Sequence, residues 1–336
     1  MGRGLALVVM SVFLLSCDSR EVRMQQFLLK GNQHLEASEW GQAEYYYKQA
    51  IGLDSCYSDA LNNLGTAYYR NRRWDEAIGW YDKAIACDPR PAYYLNRANA
   101  WYENNAFFNA SADVDRVLTT RPDTVPALML QGLILSKLQR YEEAIRSFDL
   151  ALSKDSLDPI LLVNRGTLLY YLRRYQEAGS NFNQALESDA RSAEALNGLS
   201  MVSCETGDLA KAMELIGRAL DISPRHPHYL NNRGYIHLRS GRLAEADADI
   251  QSSMVIDPDN PWVYRNRGIS YLFKNDKAAA ERMFRQVLSS DSSVDKAAWY
   301  LVKSVYEQGR GADACKLLDI VPSIDAIPSE WRRACR

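Results

Sequence analysis

The sequence predicts an all-α protein, a solenoid of about nine helix-turn-helix repeats, from a repeating window and three register marks within it. A pattern recurs in a 34-residue window starting at Met24, Ser58, Pro91, Val125, Pro159, Ala193, Pro227, Pro261 and Asp295. Each window carries an alanine in its second half: Ala43, Ala77, Ala110, Ala144, Ala178, Ala212, Ala246, Ala280 and Ala314. Its first half carries a small residue, Gly31, Gly65, Gly132, Gly166, Gly234 or Gly268, with Ala98, Ser200 and Val302 as departures. Four residues after each alanine stands a bulky side chain: Tyr47, Tyr81, Val114, Phe148, Phe182, Ile216, Ile250, Phe284 or Leu318. Alanines held in phase this way imply a steric constraint, with helices touching at small residues and large ones filling the space between.

The elements are most legible from Ser58 to Arg90. Leu61, Leu64, Tyr68 and Tyr69 recur at helical spacing; after Asn71-Arg72-Arg73 the pattern resumes with Trp74, Ala77, Ile78, Tyr81, Ala84 and Ile85, and stops before Asp88-Pro89. Here the chain resembles the tetratricopeptide repeat (TPR) family, whose motif W-x2-L-G-x2-Y, A-x3-F and closing Pro is matched by Leu61, Leu64, Gly65, Tyr68, Ala77, Tyr81 and Pro89. The resemblance implies a right-handed superhelix with first helices lining a concave groove and second helices forming the convex back. It also implies a scaffold, since the family serves many unrelated protein partners.

Taken in order, the chain opens with Arg3 and the apolar run Leu5 to Leu15, too short for the ~20 residues of a membrane span. A basic start, a short apolar stretch and a small residue describe a secretory signal. Ending in Leu14-Leu15-Ser16-Cys17, this one resembles a bacterial lipoprotein signal, in which the cysteine is acylated and the peptide cut before it. The expectation is therefore a signal over 1–16, an anchor and linker over 17–23, lipid (palmitate among it) on Cys17, and an array over 24–321 in the cell envelope, facing the periplasm. By resemblance to enterobacterial lipoproteins, Asp18 favours the inner membrane. Met1-Gly2 also suggests myristoylation, but Ala6 stands where that motif wants Ser or Thr.

Nine repeats nearly exhaust the chain, so no separate catalytic domain fits, and stability is roughly a sum of repeat and interface terms. The net charge of -2 argues against a nucleic-acid footprint. Of six cysteines, five remain once Cys17 is lipidated, leaving at least one unpaired. A bridge from Cys315 to Cys335 would pin the tail over the last repeat; one from Cys56 to Cys87 ranks behind it, and Cys204 is the candidate free thiol. In the ninth repeat Gly311 and Val302 break the pattern, as terminal repeats do. Pro322 and Pro328 then lead to a cap over 322–336, with Ser329 opening a short helix and Trp331 covering the core.

Function is sought on the first helices. One register reads Asn63, Asn96, Asn164, Asn232 and Asn266, interrupted by Leu29, Leu130, Gly198 and Tyr300. Each amide offers donor and acceptor, so the row resembles the asparagine ladder with which some long TPR proteins hold a peptide backbone; its other reading is a residue common at this place in the repeat. Around it Met129, Leu130, Leu133, Val163, Tyr171, Tyr235, Trp262, Arg265 and Ile269 suggest an apolar, partly aromatic groove or, residue by residue, packing between repeats. The paired cations of the family's carboxylate clamp are missing beside Asn63 and Asn96, where Asp59 and Ala92 stand. Arg97, Arg165, Arg233 and Arg267, one place round the helix, point to structural hydrogen bonds, with Asp88, Asp155 and Asp257 as candidate acceptors between repeats.

No metalloprotease, phosphate-loop or hydrolase motif is present, and His226, His228 and His237 would have to converge to bind metal. The expectation is a non-enzymatic scaffold without cofactor that binds a protein or peptide of the envelope and no nucleic acid. The alternatives are a glycan or small-molecule receptor, and a non-catalytic subunit of an envelope enzyme.

Overall fold

A computed structural model of the chain describes residues 4–154, 156–322, 326–333 and 335, with side chains from Arg20 onward. All regular structure among the described residues is helical. The chain divides into two compact units, residues 1–156 and 157–336. The first holds α1 (Gly4–Glu36), α2 (Trp40–Leu53), α3 (Ser58–Arg70), α4 (Trp74–Cys87), α5 (Pro91–Glu103), α6 (Phe107–Thr120), α7 (Val125–Lys137) and α8 (Tyr141–Leu152). The second holds α9 (Pro159–Tyr171), α10 (Tyr175–Ser188), α11 (Ala193–Thr206), α12 (Leu209–Ile222), α13 (Pro227–Arg239), α14 (Leu243–Ile256), α15 (Pro261–Phe273), α16 (Lys277–Ser290), α17 (Ala297–Tyr306), α18 (Gly311–Lys316) and α19 (Ser329–Arg333), with a 3-10 turn at Leu318–Ile320.

From α3 to α15 every first helix begins at the residue where the repeat pattern begins. Proline opens four of these helices, Pro91, Pro159, Pro227 and Pro261, where its missing N–H is of no consequence. The hairpin turns are as regular. Ser38, Arg72, Asn105, Gln139, Arg173, Gly207, Gly241, Asn275 and Gly309 all take positive φ, one per repeat at the same offset. A left-handed residue there stops the first helix and reverses the chain.

The phased alanines are buried, from Ala43 at 0% to Ala314 at 2% exposure. The small residue of each first helix meets the bulky residue sixteen places on: a Cβ on Gly65 would lie 2.7 Å from the Tyr81 ring, and one on Gly132 2.7 Å from that of Phe148. Where the glycine is replaced the ring is too, as in the pairs Ala98 with Val114 and Ser200 with Ile216, so the helices keep their spacing by complementary size.

Within each unit a first helix packs on the next first helix, α3 on α5 and α5 on α7, and likewise α9 on α11, α11 on α13 and α13 on α15. Second helices pack chiefly on the first helices either side of them. Closer first helices put them on the inside of each unit's curve. In the second unit the curve is tight enough for Arg173, at the α9–α10 turn, to pair with Asp295 before α17 at 2.9 Å.

Among the described residues, two bridges fasten the chain. Cys56 and Cys87 join the ends of consecutive repeats, and Cys315 joins Cys335, which draws α19 against α18. Trp331 on α19 is buried, its ring 5.0 Å from that of Trp299. Helix α1 runs without a break through residues 17–23, where the sequence reading places an anchor and linker. The side chain of Cys17 lies outside the described residues.

Candidate functional site

The inner face of the second unit encloses a cavity of about 280 Å³, lined from successive first helices: Thr167, Tyr170 and Tyr171 of α9, Asn197, Gly198 and Met201 of α11, His228, Asn231, Asn232 and Tyr235 of α13, and Trp262, Arg265 and Asn266 of α15. Stacking positions each group, because consecutive first helices bring residues a repeat apart side by side. Tyr171 of α9 reaches Trp262 of α15 across the face, ring centroids 6.4 Å apart. Gly198, which interrupts the asparagine row, leaves room for Phe182, whose ring would lie 2.4 Å from a Cβ there.

The asparagine row bonds from repeat to repeat. Asn96 Nδ2 donates to Asn62 Oδ1 at 2.9 Å, Asn232 to Asn197 at 2.8 Å, and Asn266 to Asn231 at 2.9 Å. In each pair the acceptor sits one place earlier in the preceding repeat, so the expected open ladder is a chain of staples between first helices. Asn63 donates instead to Asn32, 31 residues back, at 2.9 Å, and Asn164 donates to the carbonyl of Ile160. One amide proton per side chain is used this way, which leaves less of the row for a ligand than the spacing suggests.

The other expected groove residues divide. Met129 and Leu133 are half-buried on α7 in the first unit, where Leu130 belongs to the core. In the second unit Val163 and Trp262 are half-buried and Tyr171 is 44% exposed. Tyr235, Ile269 and Arg265 are buried, at 2%, 4% and 5% exposure, and stand inside the curve rather than on an open surface. Tyr235 and Ile269 also line a second cavity with Arg239, Phe273, Trp299 and Tyr300. Sequence reasoning passed over Tyr170, Asn197, Met201 and Asn231, and weighed His228 only as a metal ligand; the signal for Asn197 and Asn231 was their place one residue ahead of the row.

Arg265 is the exceptional group. Its guanidinium carbon lies 4.7 Å from the Tyr235 ring and 5.1 Å from that of Trp262. Burial works against its charge, but the acidic groups around it, Asp295 among them, more than offset this, and the group stays a guanidinium. Its Nε and the Oδ1 of Asn266 are buried with no hydrogen-bond partner among the described residues. The neighbouring carboxylates are engaged elsewhere: Glu205 with Lys296 at 3.1 Å and Arg239 at 3.5 Å, Asp295 with Arg173. Cys204, next to Glu205, is buried and unbridged, and burial pushes its thiol up to about 11.

The other arginines of the asparagine register are structural, with partners the sequence did not name. Arg97 forms a fork with Asp113 at 2.7 and 2.6 Å, Arg233 one with Asp249 at 2.7 Å, Arg267 reaches Gln251 at 2.7 Å and Arg165 reaches Asn181 at 3.1 Å. Asp113, Asn181 and Asp249 stand sixteen residues on, in the second helix of the same repeat, whereas Gln251 stands sixteen residues back, in the second helix of the preceding one. Asp88 instead bonds Arg90, and Asp155 lies outside the described residues. The histidines do not converge: His226 stacks on Tyr229, His228 Nδ1 meets Asn260, and His237 faces Asp249. No group of three metal-ligating side chains occurs among the described residues, nor is any helix there long and apolar enough to cross a membrane.

Stacked helix pairs with a lined inner face define a helical-repeat scaffold for protein interaction. The tetratricopeptide repeat family matches residues 28–92, 95–159, 163–227, 205–261 and 265–326. The chain belongs to that family. It is similar to Translocon at the outer membrane of chloroplasts 64 of Pisum sativum, 34% identical over 89 residues, which are 26% of this chain and 15% of that protein. It is also similar to RNA polymerase II-associated protein 3 of Homo sapiens, 28% identical over 106 residues, or 31% of this chain and 16% of that one. The chain thus spans under a fifth of these relatives' length. Among solved structures, the APC/C hetero-tetramer Cut9-Hcn1 aligns at TM-score 0.62 and 13% identity over 83% of this chain and 55% of that one. PilW, a type IV pilus biogenesis factor, aligns at TM-score 0.55 and 19% identity over 61% of this chain and 96% of that one. At these identities the likeness is one of fold.

Proposed function

We propose that the protein is a membrane-tethered scaffold of the bacterial cell envelope, anchored by lipid on Cys17, that holds a segment of a protein partner against the inner face of its second unit. The observation that carries the binding reading is the cavity between α9, α11, α13 and α15, with the rings of Tyr171 and Trp262 facing each other across it. Aromatic side chains and arginine are the groups on which protein recognition most often turns. The tether is supported by Arg3, the apolar run and Leu14-Leu15-Ser16-Cys17; several acyl chains together anchor stably where one binds only marginally. The PilW likeness is compatible with an assembly role without choosing one.

The test is crosslinked capture from the protein's own membranes with Tyr171→Ala/Trp262→Ala and Cys17→Ala alongside. One envelope protein retained by the wild type and lost by the double variant supports the reading. Unchanged membrane partition of Cys17→Ala overturns the tether. Stabilisation by a sugar or other small ligand, with no protein captured, transfers the site to the receptor alternative.

A further inference from the structure

We propose that the cavity of the second unit receives the carboxylate of an acidic side chain on the bound segment, gripped by Arg265 between Tyr235 and Trp262. The inference rests on the scaffold reading and adds the chemistry of what is bound. A guanidinium at 5% exposure is out of water, and none of the carboxylates among the described residues pairs with it. Stacking on two rings supplies part of what water would have given. It does not supply an anion, and a buried charge without one is strongly unfavourable.

Positive charge predominates around the cavity. Arg265, Arg239, Lys296 and Arg173 are four cations, set against the two carboxylates Glu205 and Asp295, both already paired. A carboxylate entering the cavity meets a guanidinium whose planar fork fits it with two parallel hydrogen bonds. Beside it Asn266 Oδ1 is a buried acceptor lacking a donor. The backbone N–H of a protein segment supplies one, which acetate and fully ionised phosphate lack; this selects a peptide acid over a small free anion. The cavity, about 280 Å³, suits one or two side chains.

The experiment uses the whole chain and fluorescent decapeptide mixtures read by anisotropy. One mixture is blocked at both ends with Glu at its centre and Ala, Leu, Phe or Ser elsewhere; a second has central Gln; a third has central Gln and a free terminal carboxylate. The expected result is at least tenfold tighter binding of the Glu mixture than of the blocked Gln mixture. In Arg265→Gln that preference disappears while the melting temperature holds or rises, because an unpaired buried charge has been removed. Arg265→Lys retains part of the preference, and Arg265→Met repeats the test should the Gln variant not fold.

Equal binding of the Glu and Gln mixtures overturns the inference and leaves the scaffold reading standing. Binding of the third mixture alone overturns it in favour of a chain end. Stabilisation by acetate or phosphate with no mixture bound overturns it in favour of a small anion. A melting temperature lowered by Arg265→Gln with the Glu preference intact makes Arg265 structural. If no mixture binds and neither anion stabilises, the inference falls, and the scaffold reading is then decided by membrane capture alone.

Discussion

A Cβ on Gly65 would sit 2.7 Å from the ring of Tyr81, a side chain only 1% exposed, so the extra methyl has nowhere to go. Gly65→Ala is expected to cost about 1–3 kcal/mol, the range for overpacking a filled core, read as a lower urea midpoint at unchanged slope. The double variant Gly65→Ala/Tyr81→Val, which copies the Ala98 and Val114 pairing, should recover part of the loss. His237 and His226 give a residue-scale pH dependence. Burial depresses both below 6.5, opposed at His237 by Asp249 and reinforced at His226 by His228. Folded, they bind protons less readily than the unfolded chain, so their contribution is full above pH 6.5 and is lost as pH falls from there through the folded values. The melting temperature should therefore drop between pH 7 and pH 5, and less steeply in His237→Gln. Burial works to raise Glu44, Asp247 and Glu281, but their hydrogen-bonded partners outweigh it and hold them low, so these carboxylates lose their contribution only as pH falls below the ordinary 4.5 or 3.8.

At the scale of the helix pair, sequence periodicity located the first helices from Ser58 to Pro261 because their start is set locally, by the turn before them and by apolar spacing. It left two readings open for the asparagine row and missed the acceptors of the structural arginines, because those partners depend on how helices stack. The acceptor of Asn232 is Asn197, 35 residues back, and that of Arg233 is Asp249, sixteen ahead. Both distances were available in the repeat, but only the stacked helices show which of several polar neighbours is within reach. The staples should behave as ordinary buried hydrogen bonds: Asn232→Ala is expected to lose about 1 kcal/mol, with a compensating gain in the pair variant Asn197→Ala/Asn232→Ala. A loss no greater than the error of a urea titration would show the staples to be incidental. The carboxyl groups that complete Arg97 and Arg233 matter more, because Asp113 and Asp249 are buried; Asp113→Ala removes the fork and leaves Arg97 only Asp82, and should cost about 1–3 kcal/mol.

Across the whole molecule, the division at Ser156 was not legible. The repeat pattern runs through it unbroken, and what decides the grouping is the density of contacts on either side. If each unit holds its own core, the fragment 157–336 produced alone should keep its helical circular dichroism and melt cooperatively; a random-coil spectrum would mean that the array folds only as a whole. The bridge between Cys56 and Cys87 has a further consequence, a mechanical one. A chain pulled by its ends yields repeat by repeat, and each 34-residue repeat pays out about 115 Å of extended polypeptide. The covalent loop closed at positions 56 and 87, with a separation of 31 residues, cannot be pulled straight. Force–extension traces of the oxidised protein should therefore come up short by roughly 105 Å, and a reductant in the buffer should return the missing length, so that the first and second repeats act under load as a ratchet that gives way only to chemistry.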